Sequence, residues 1–432
     1  MSPTFSALAI RNFRVYAVGS FISNIGTWMQ NTAQAWLVLV LTGSGTALGV
    51  TVALQLLPTL LLSPVGGVVA DRYPKRTVLR VMQVMMAVPA AVLGVLAVTG
   101  VVQVWQVYVL AFIFGVGRAI EAPARQSFVP EMVDRGELGN AVALNSASFN
   151  AGRLVGPGVA GLLIAAFGAG VVGTGWVILL NAISYGAAFA ALHLLDVERL
   201  RPTALITRRR GAVREGIAYV RSRPDLVLVM ACMFFLGGFG MNFQITSALM
   251  ATEEFGRGAR EYGVLGSVLA IGSLTGALLA ARRPGPRLRF IVVGGLLFSV
   301  LQIISGLMPT FLTYAAVLPL VGLSVLTVAT TASAMIQLTS APAMRGRVAS
   351  LYVMVFIGSV PFGAPLAGWV GEQYGARAAI ITTGLAAGIG IGCSALWFVR
   401  RDEQRRNELR KSVRDLRWKH VRRTNVRGVQ AN

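Results

Sequence analysis

The chain has 432 residues, of which 55% are hydrophobic and only 13% charged, with a mean hydropathy of +0.67. A soluble domain carries about a quarter charged residues, so this composition excludes an ordinary soluble enzyme or binding module and points to an integral membrane protein. The charge is basic, 39 Lys and Arg against 17 Asp and Glu; cytoplasmic loops of membrane proteins gather such bases, and a nucleic-acid partner is not expected.

A bilayer core takes about 20 apolar residues per helix. The polar stretch Met1 to Arg14 leads straight into a full-length apolar run, so no cleaved signal peptide is expected. Six spans are predicted near 15–41, 47–69, 78–99, 104–122, 141–166 and 171–194, and six more near 226–251, 262–281, 290–307, 311–333, 349–370 and 376–399. The predicted fold is therefore all-α and membrane-integral, with twelve transmembrane helices in two six-helix pseudo-repeats. Its parts are an N-terminal bundle (1–194), a cytoplasmic linker (195–224), a C-terminal bundle (225–399) and a basic tail (400–432).

In chain order, the first span carries Asn24, Thr27, Asn31 and Gln34 at intervals of three and four, with Gln30 beside them. Such a polar row on an apolar helix fits cavity lining, or hydrogen bonding between helices. After the second span comes Gly66-Gly67-Val68-Val69-Ala70-Asp71-Arg72-Tyr73-Pro74-Lys75-Arg76, with Arg80 close behind. So much charge after an apolar run belongs on the water side of a membrane boundary. Glu121 is the acid nearest a span interior, at the predicted inner end of the fourth helix. Arg118 and Arg125 stand at i−3 and i+4 from it, so a local ion pair is the alternative to a proton-carrying role.

In the fifth span Arg153 falls near the bilayer midplane, where an unpaired cation costs several kcal/mol. It shares a stripe with Asn150 and Ser146, which fits either a polar substrate site or a structural arginine bonded to helix carbonyls. Gly152, Gly156, Pro157 and Gly158 follow, and Pro157 is expected to bend the helix; a tight packing seam is compatible with it. The linker contains Ile217, Tyr219 and Val220 against Arg214, Arg221 and Arg223, an amphipathic pattern that favours anionic lipid. The arginine-rich tail has the same affinity. In the seventh span Asn242 and Gln244 are further cavity candidates, and Asp225 at its entrance is a second candidate for proton coupling. The aromatics Trp28, Trp36 and Tyr185 fit packing better than substrate stacking. Cys232 and Cys393 lie in apolar runs and form no disulfide or metal framework.

The bases set orientation. Thirty-five of the 39 fall on one predicted face, against Arg257, Arg260 and Arg377 on the other and Arg153 within a span. Both termini are therefore expected in the cytoplasm, in a cell (inner or plasma) membrane. A displacement of 207 residues lays Leu144, Phe149, Gly156, Ala160, Gly161 and Gly168 on Leu351, Phe356, Gly363, Ala367, Gly368 and Gly375. Two related halves place a cavity on their pseudo-two-fold axis, as in secondary transporters.

With twelve spans, the repeat and the 66–76 cluster together, the chain resembles the major facilitator superfamily. Within it, the chain is similar to the branch that includes the enterobactin exporter and related actinobacterial efflux permeases. The supporting stretches are NIGTWMQNTAQAWLVLVLTGSGTALGV, EAPARQSFVPEMV and RGRVASLYVM. The resemblance implies an inner gate at Gly67, Asp71, Arg72, Lys75 and Arg76, with Asp71 facing the start of helix eleven. It also implies an antiporter pattern on helix five, here kept at Gly152, Gly156, Pro157 and Gly158 but with Ala143 in place of an earlier glycine. The second-half copy of the gate cluster, Gly276 to Arg287, has no acid.

The expected function is export of a small apolar or amphiphilic compound, such as a drug, siderophore or metabolite, by alternating access with possible proton coupling. The candidate cavity is Asn24, Asn31, Gln34, Asn150, Arg153 and Asn242. An importer or uniporter of the same fold is the alternative, and a transport-inactive scaffold a more distant one. No enzyme activity, cofactor or metal is expected: the only histidines are His193 and His420, and there is neither a zinc-binding His pair nor a phosphate loop. The partners expected are a small-molecule substrate and the bilayer, with the chain a monomer.

Overall fold

The computed structural model describes residues 3–201, 212–281, 285–342 and 344–401. The basic tail beyond residue 401 and linker residues 202–211 lie outside the described residues, and with them most of the expected lipid contacts. Six long helices come first: α1 (Arg11–Thr42), α2 (Gly45–Arg72), α3 (Lys75–Val98), α4 (Val104–Met132), α5 (Leu138–Ala166) and α6 (Val171–His193). A short α7 (Ala212–Ser222) precedes α8 (Pro224–Phe235) and α9 (Phe243–Leu249). A wide π-helical turn at Leu236–Gly240 leads from α8 towards α9, and a second at Met250–Glu254 extends α9, so that all four form one span. Then come α10 (Ala259–Ala281), α11 (Leu288–Gly306), α12 (Phe311–Thr339), the pair α13 (Arg345–Gly358) and α14 (Val360–Tyr374), and α15 (Ala376–Arg401).

Among the described residues eleven helices are long and apolar enough to cross a membrane. α1 is not one of them, although it has 32 residues and packs against α5 and α6. The reason is its polar row: Asn12, Asn24, Gln30, Asn31 and Gln34 are all buried. Hydrocarbon offers no hydrogen bonds, so such a helix is stable only where its polar side faces other protein. The outer surface is correspondingly apolar, with Ile183 70% and Leu312 77% exposed.

The 207-residue repeat has a structural meaning. Displacing α5 by that amount lands it on 345–373, against the observed Arg345–Tyr374 of α13 and α14. Each repeated glycine keeps its task. A Cβ on Gly161 would meet the Ala259 carbonyl of α10, and one on Gly368 the Gly45 carbonyl of α2. Gly156 packs on Trp28 of α1, and Gly363 on the Gly238 backbone in the seventh span. Gly168 and Gly375 end their helices at φ +104° and +88°, where a side chain would be strained. The halves thus meet through α2 on α14 and α5 on α10, related contacts made at small residues where backbones approach closely.

Charge pins one end of the first six helices. Lys75 and Glu131, both buried, pair at 2.5 Å and tie α3 to α4. Arg76 donates to the carbonyls of Leu192 and His193 at 2.7 and 2.9 Å, satisfying the end of α6. The Arg80 guanidinium lies 5.3 Å over the Phe189 ring. α7 docks on α13, where Arg347 pairs with Glu215 and the Tyr219 hydroxyl accepts from the Ala341 amide at 3.0 Å. Ile217 and Val213 on α7 stay exposed.

Gly26 marks the tightest seam of α1 on α6: a Cβ there would sit 2.3 Å from both Asn181 Oδ1 and Ser184 Oγ. Gly26→Ala should therefore lower stability by about 1–3 kcal/mol, the usual cost of overpacking. Gly186→Ala, on α6 with nothing within 4 Å of the added atom, should leave the melting temperature unchanged or raise it. Thermal unfolding of both variants in detergent tests the seam; equal behaviour would contradict it.

Candidate functional site

A pocket opens inside the first six helices, between α1, α3, α4, α5 and α6. Its wall includes Asn24, Thr27 and Trp28 of α1, Gln83 and Met86 of α3, and Arg118, Glu121 and Arg125 of α4. Phe149 of α5 and Tyr185 of α6 complete it. It continues past Tyr16, Ser20 and Leu192. The charged side chains share one face because 118, 121 and 125 are spaced three and four apart on a helix.

The predicted end of the fourth span at residue 122 is corrected here. α4 runs to Met132, straight through Pro123 and Pro130. Proline usually ends a helix, but neighbouring helices in a membrane re-satisfy the freed carbonyls. At about 1.5 Å per residue, Arg118 and Glu121 lie about 21 and 26 Å along the helix from Val104. Arg125 is consequently a pocket residue, as Arg118 is, rather than a loop base, and Glu121 is 7% exposed in the helix body. The Arg125 Nε lies 3.3 Å from Glu121 Oε1. Arg125 also donates to Asn24 Oδ1 at 3.0 Å, and Asn24 donates to Ser148 Oγ of α5 at 2.9 Å. Thr27 and Tyr185 share a hydroxyl bond of 2.9 Å. The buried Gln83 Oε1 has no partner.

The polar row of α1 divides. Asn24 and Thr27 line the pocket. Asn31 accepts from Gln55 of α2 at 3.2 Å, and Gln30 accepts from Asn181 of α6, while Gln34 is buried at 2% exposure. The lower part of the row thus serves the cavity and the upper part the helix seams. Trp28 and Tyr185 reach the pocket; Trp36 instead donates to the Ala169 carbonyl at 3.2 Å and stacks on Tyr262 of α10.

Arg153 sits at the seam of the two halves. It donates to Ser273 Oγ of α10 at 3.3 Å, and its guanidinium lies 5.8 Å over Trp28. Asn150 does not join it, because its amide is bonded to the Ser146 carbonyl one turn back. Asn242 lies at the break before α9 and donates to the Gly238 carbonyl that the break leaves free, at 2.8 Å. It is 2% exposed, and so sits in the helix break rather than on the cavity wall. Asp225 is held by both arms of Arg223, at 2.9 and 2.6 Å, in the first turn of α8. α5 continues as one helix through Pro157. Gly152 and Gly156 admit α1, and Pro157 packs on Gly263 and Gly266 of α10. The broken spans are the seventh and the eleventh, the latter at Ser359.

Of the expected gate residues, Asp71 and Arg72 occupy the last turn of α2 and Gly67 the turn before. Lys75 and Arg76 form the bonds to α4 and α6 described above. The opposite end of the molecule is shut. Gly45 and Gly49 of α2 press on the backbone of Gly368 and Ala364, and Gly158 N donates to Ser267 Oγ at 3.1 Å. There Glu372 of α14 accepts from Ser44 Oγ at 2.5 Å and from Thr46 N at 3.0 Å, so an acid from one half caps a helix start in the other. Sequence reasoning missed Glu372, whose partners lie more than 320 residues away. It also missed Gln83 and the depth of Arg118, which the spacing of 118, 121 and 125 would have signalled had the helix been carried past Pro123.

Comparison with known proteins places this architecture. Residues 2–421 match the family described as "Transmembrane secretion effector". The multidrug efflux pump Tap of Mycolicibacterium fortuitum is 27% identical over 83% of this chain and 89% of its own length. The enterobactin exporter EntS of Shigella boydii is 24% identical over 84% and 85%. The staphyloferrin A transporter of Staphylococcus aureus is 28% identical over a shorter stretch, 34% of this chain and 38% of its own length. Among solved structures, a bacterial homologue of the human lysosomal transporter Spinster superposes with a TM-score of 0.73 at 14% identity, covering 93% and 98% of the two chains. A D-xylose–proton symporter gives 0.68 at 16% identity over 88% and 96%. The chain belongs to the transmembrane secretion effector family of the major facilitator superfamily, and is a multi-pass membrane transporter of a small molecule rather than an enzyme.

Proposed function

We propose that this transporter is an exporter of small amphiphilic compounds, working by alternating access and driven by protons through Glu121. The observation that carries the reading is the face formed by Arg118, Glu121 and Arg125, a charged site deep in otherwise apolar spans, inside a bundle whose far end is shut. Support for the direction comes from relatives: Tap and EntS, each aligned over more than four fifths of this chain, are named as an efflux pump and an exporter. The excess of bases at the other end puts that end, and both termini, in the cytoplasm. The shape seen is then the inward-facing one, with its outer gate closed by α2 on α14 and α5 on α10.

Glu121 is favoured over Asp225 as the proton carrier by its surroundings. Asp225 is held in a two-point bond to Arg223 at the helix start, a structural role. Glu121 shares Arg125 with Asn24, so protonating it would free Arg125 from one of its two partners at the pocket wall. Arg153, bonded across the halves to Ser273, would part from α10 when the outer gate opens. At the inner gate, Asp71 and Arg72 would latch the outward-facing state.

Two predictions test this reading. In vesicles carrying a pH gradient, Glu121→Gln should abolish uphill accumulation of any exported compound while sparing downhill exchange. Undiminished accumulation would remove Glu121 from the coupling. The gates should respond with opposite signs. Glu372→Ala removes hydrogen bonds to a charged group on an exposed surface, worth about a tenfold shift in the equilibrium between states. In a chain with Cys232 and Cys393 replaced, labelling of Tyr262→Cys from the outside should rise by that factor. Asp71→Asn should lower the same labelling, because the outward-facing latch is lost; an unchanged rate with either variant defeats the corresponding gate.

A further inference from the structure

The pocket holds more positive charge than it uses. Its titratable side chains at full charge are two guanidiniums, Arg118 and Arg125, and one carboxylate, Glu121. Arg125 is committed, to Glu121 and to Asn24. Among the described residues Arg118 makes no hydrogen bond or ion pair, although it stands in the wall beside Tyr185 and Glu121. A guanidinium brings five donors in a planar fork. Leaving that fork unanswered in the body of a membrane span is costly, and the same sequence has answered almost every other polar group nearby.

We propose that Arg118 is the docking cation for an anionic head group of the transported molecule, so that the pocket selects amphiphiles bearing a carboxylate, sulfonate or similar anion over lipophilic cations. The inference rests on the transport reading above and names its substrate class. A carboxylate or sulfonate accepts two parallel bonds from one guanidinium through two of its oxygens, with a charge that a neutral or cationic group lacks. Trp28, Met86 and Phe149 in the same wall supply apolar surface for the body of such a compound. A lipophilic cation would meet Arg118 and Arg125 together, and the one carboxylate that could receive it is already paired.

The test uses the purified full chain in detergent and three probes with one ring system: naphthalenesulfonate, naphthalenemethanol and naphthylmethylammonium. Binding is read from tryptophan fluorescence, since Trp28 lines the pocket, with Trp28→Phe as the check on location. The anion is expected to bind at least about tenfold more tightly than the cation, the value of one strong charge-assisted contact. Arg118→Gln should erase that difference and leave the neutral probe within about twofold, a change too small to count as a lost contact. Arg118→Lys, which keeps the charge without the fork, should retain part of the preference and carries the test if the glutamine variant fails to fold. The proposal is overturned if the wild type does not prefer the anion, if the anion does not bind, or if either variant weakens all three probes alike. Because binding is measured without a gradient, a preference for anions without pH-driven export would defeat the export reading alone. Export of cations with no anion preference would defeat this one alone.

Discussion

The two halves of this transporter depend on backbone touching backbone. Inside a bilayer no hydrophobic force drives helices together, because lipid tails are as apolar as leucine, so association relies on close packing and hydrogen bonds. Gly45, Gly49 and Gly368 let α2 lie against α14, and Gly161 and Gly263 let α5 lie against α10. These crossings lie at the end away from the basic loops, and Gly161 and Gly368 are one of the pairs that the repeat in the sequence preserves. Such an interface suits a molecule that must separate and reform it. It holds largely by shape, with a few polar bonds across it from Ser44, Thr46, Arg153 and Gly158.

The second constraint is polar satisfaction in a medium that offers none. α1 shows how the chain meets it: each buried amide at Asn24, Gln30 and Asn31 has a partner on another helix. The cost of carrying these groups is an α1 with too little hydropathy to pass as a span by composition. Against that background the unanswered groups are informative. Gln83, whose buried Oε1 has no partner among the described residues, and Arg118 line the same pocket.

Much of the fold was legible in the sequence, because spans and repeat are written in hydropathy and glycine spacing, signals that are local or periodic. Boundaries failed where a helix carries charge or proline beyond the hydrocarbon core. α4 was cut at 122, before Pro123 and Arg125, and with that cut Arg125 became a loop charge while Arg118 and Glu121 were left at the inner end of the span. The site was less legible. Asn31, Gln34 and Asn150 have the residue types and periodicity of a cavity, yet Asn31 bonds to α2, Asn150 bonds within α5 and Gln34 is buried, since periodicity gives a face but not what that face meets. Arg153 stands out in the sequence as a cation within a span, but its partner Ser273 lies 120 residues away and no local pattern points to it. Glu372 was passed over for the same reason.

α1 joins these themes into one path. Its Asn24 is bonded to α4 through Arg125 and to α5 through Ser148, at the pocket. Twelve residues further on, about 18 Å along the same helix, Trp36 stacks on Tyr262 of α10 at 6.0 Å, across the boundary between halves. A regular helix transmits displacement along its axis with little loss, because every backbone bond would have to stretch to absorb it. In the proposed cycle a change of charge at Glu121 would free Arg125 from one of its two partners, and the far end of the helix that carries Asn24 rests against α10. Coupling of this kind would need no chain of charged relays through the second half, where the described acids sit near the ends of spans.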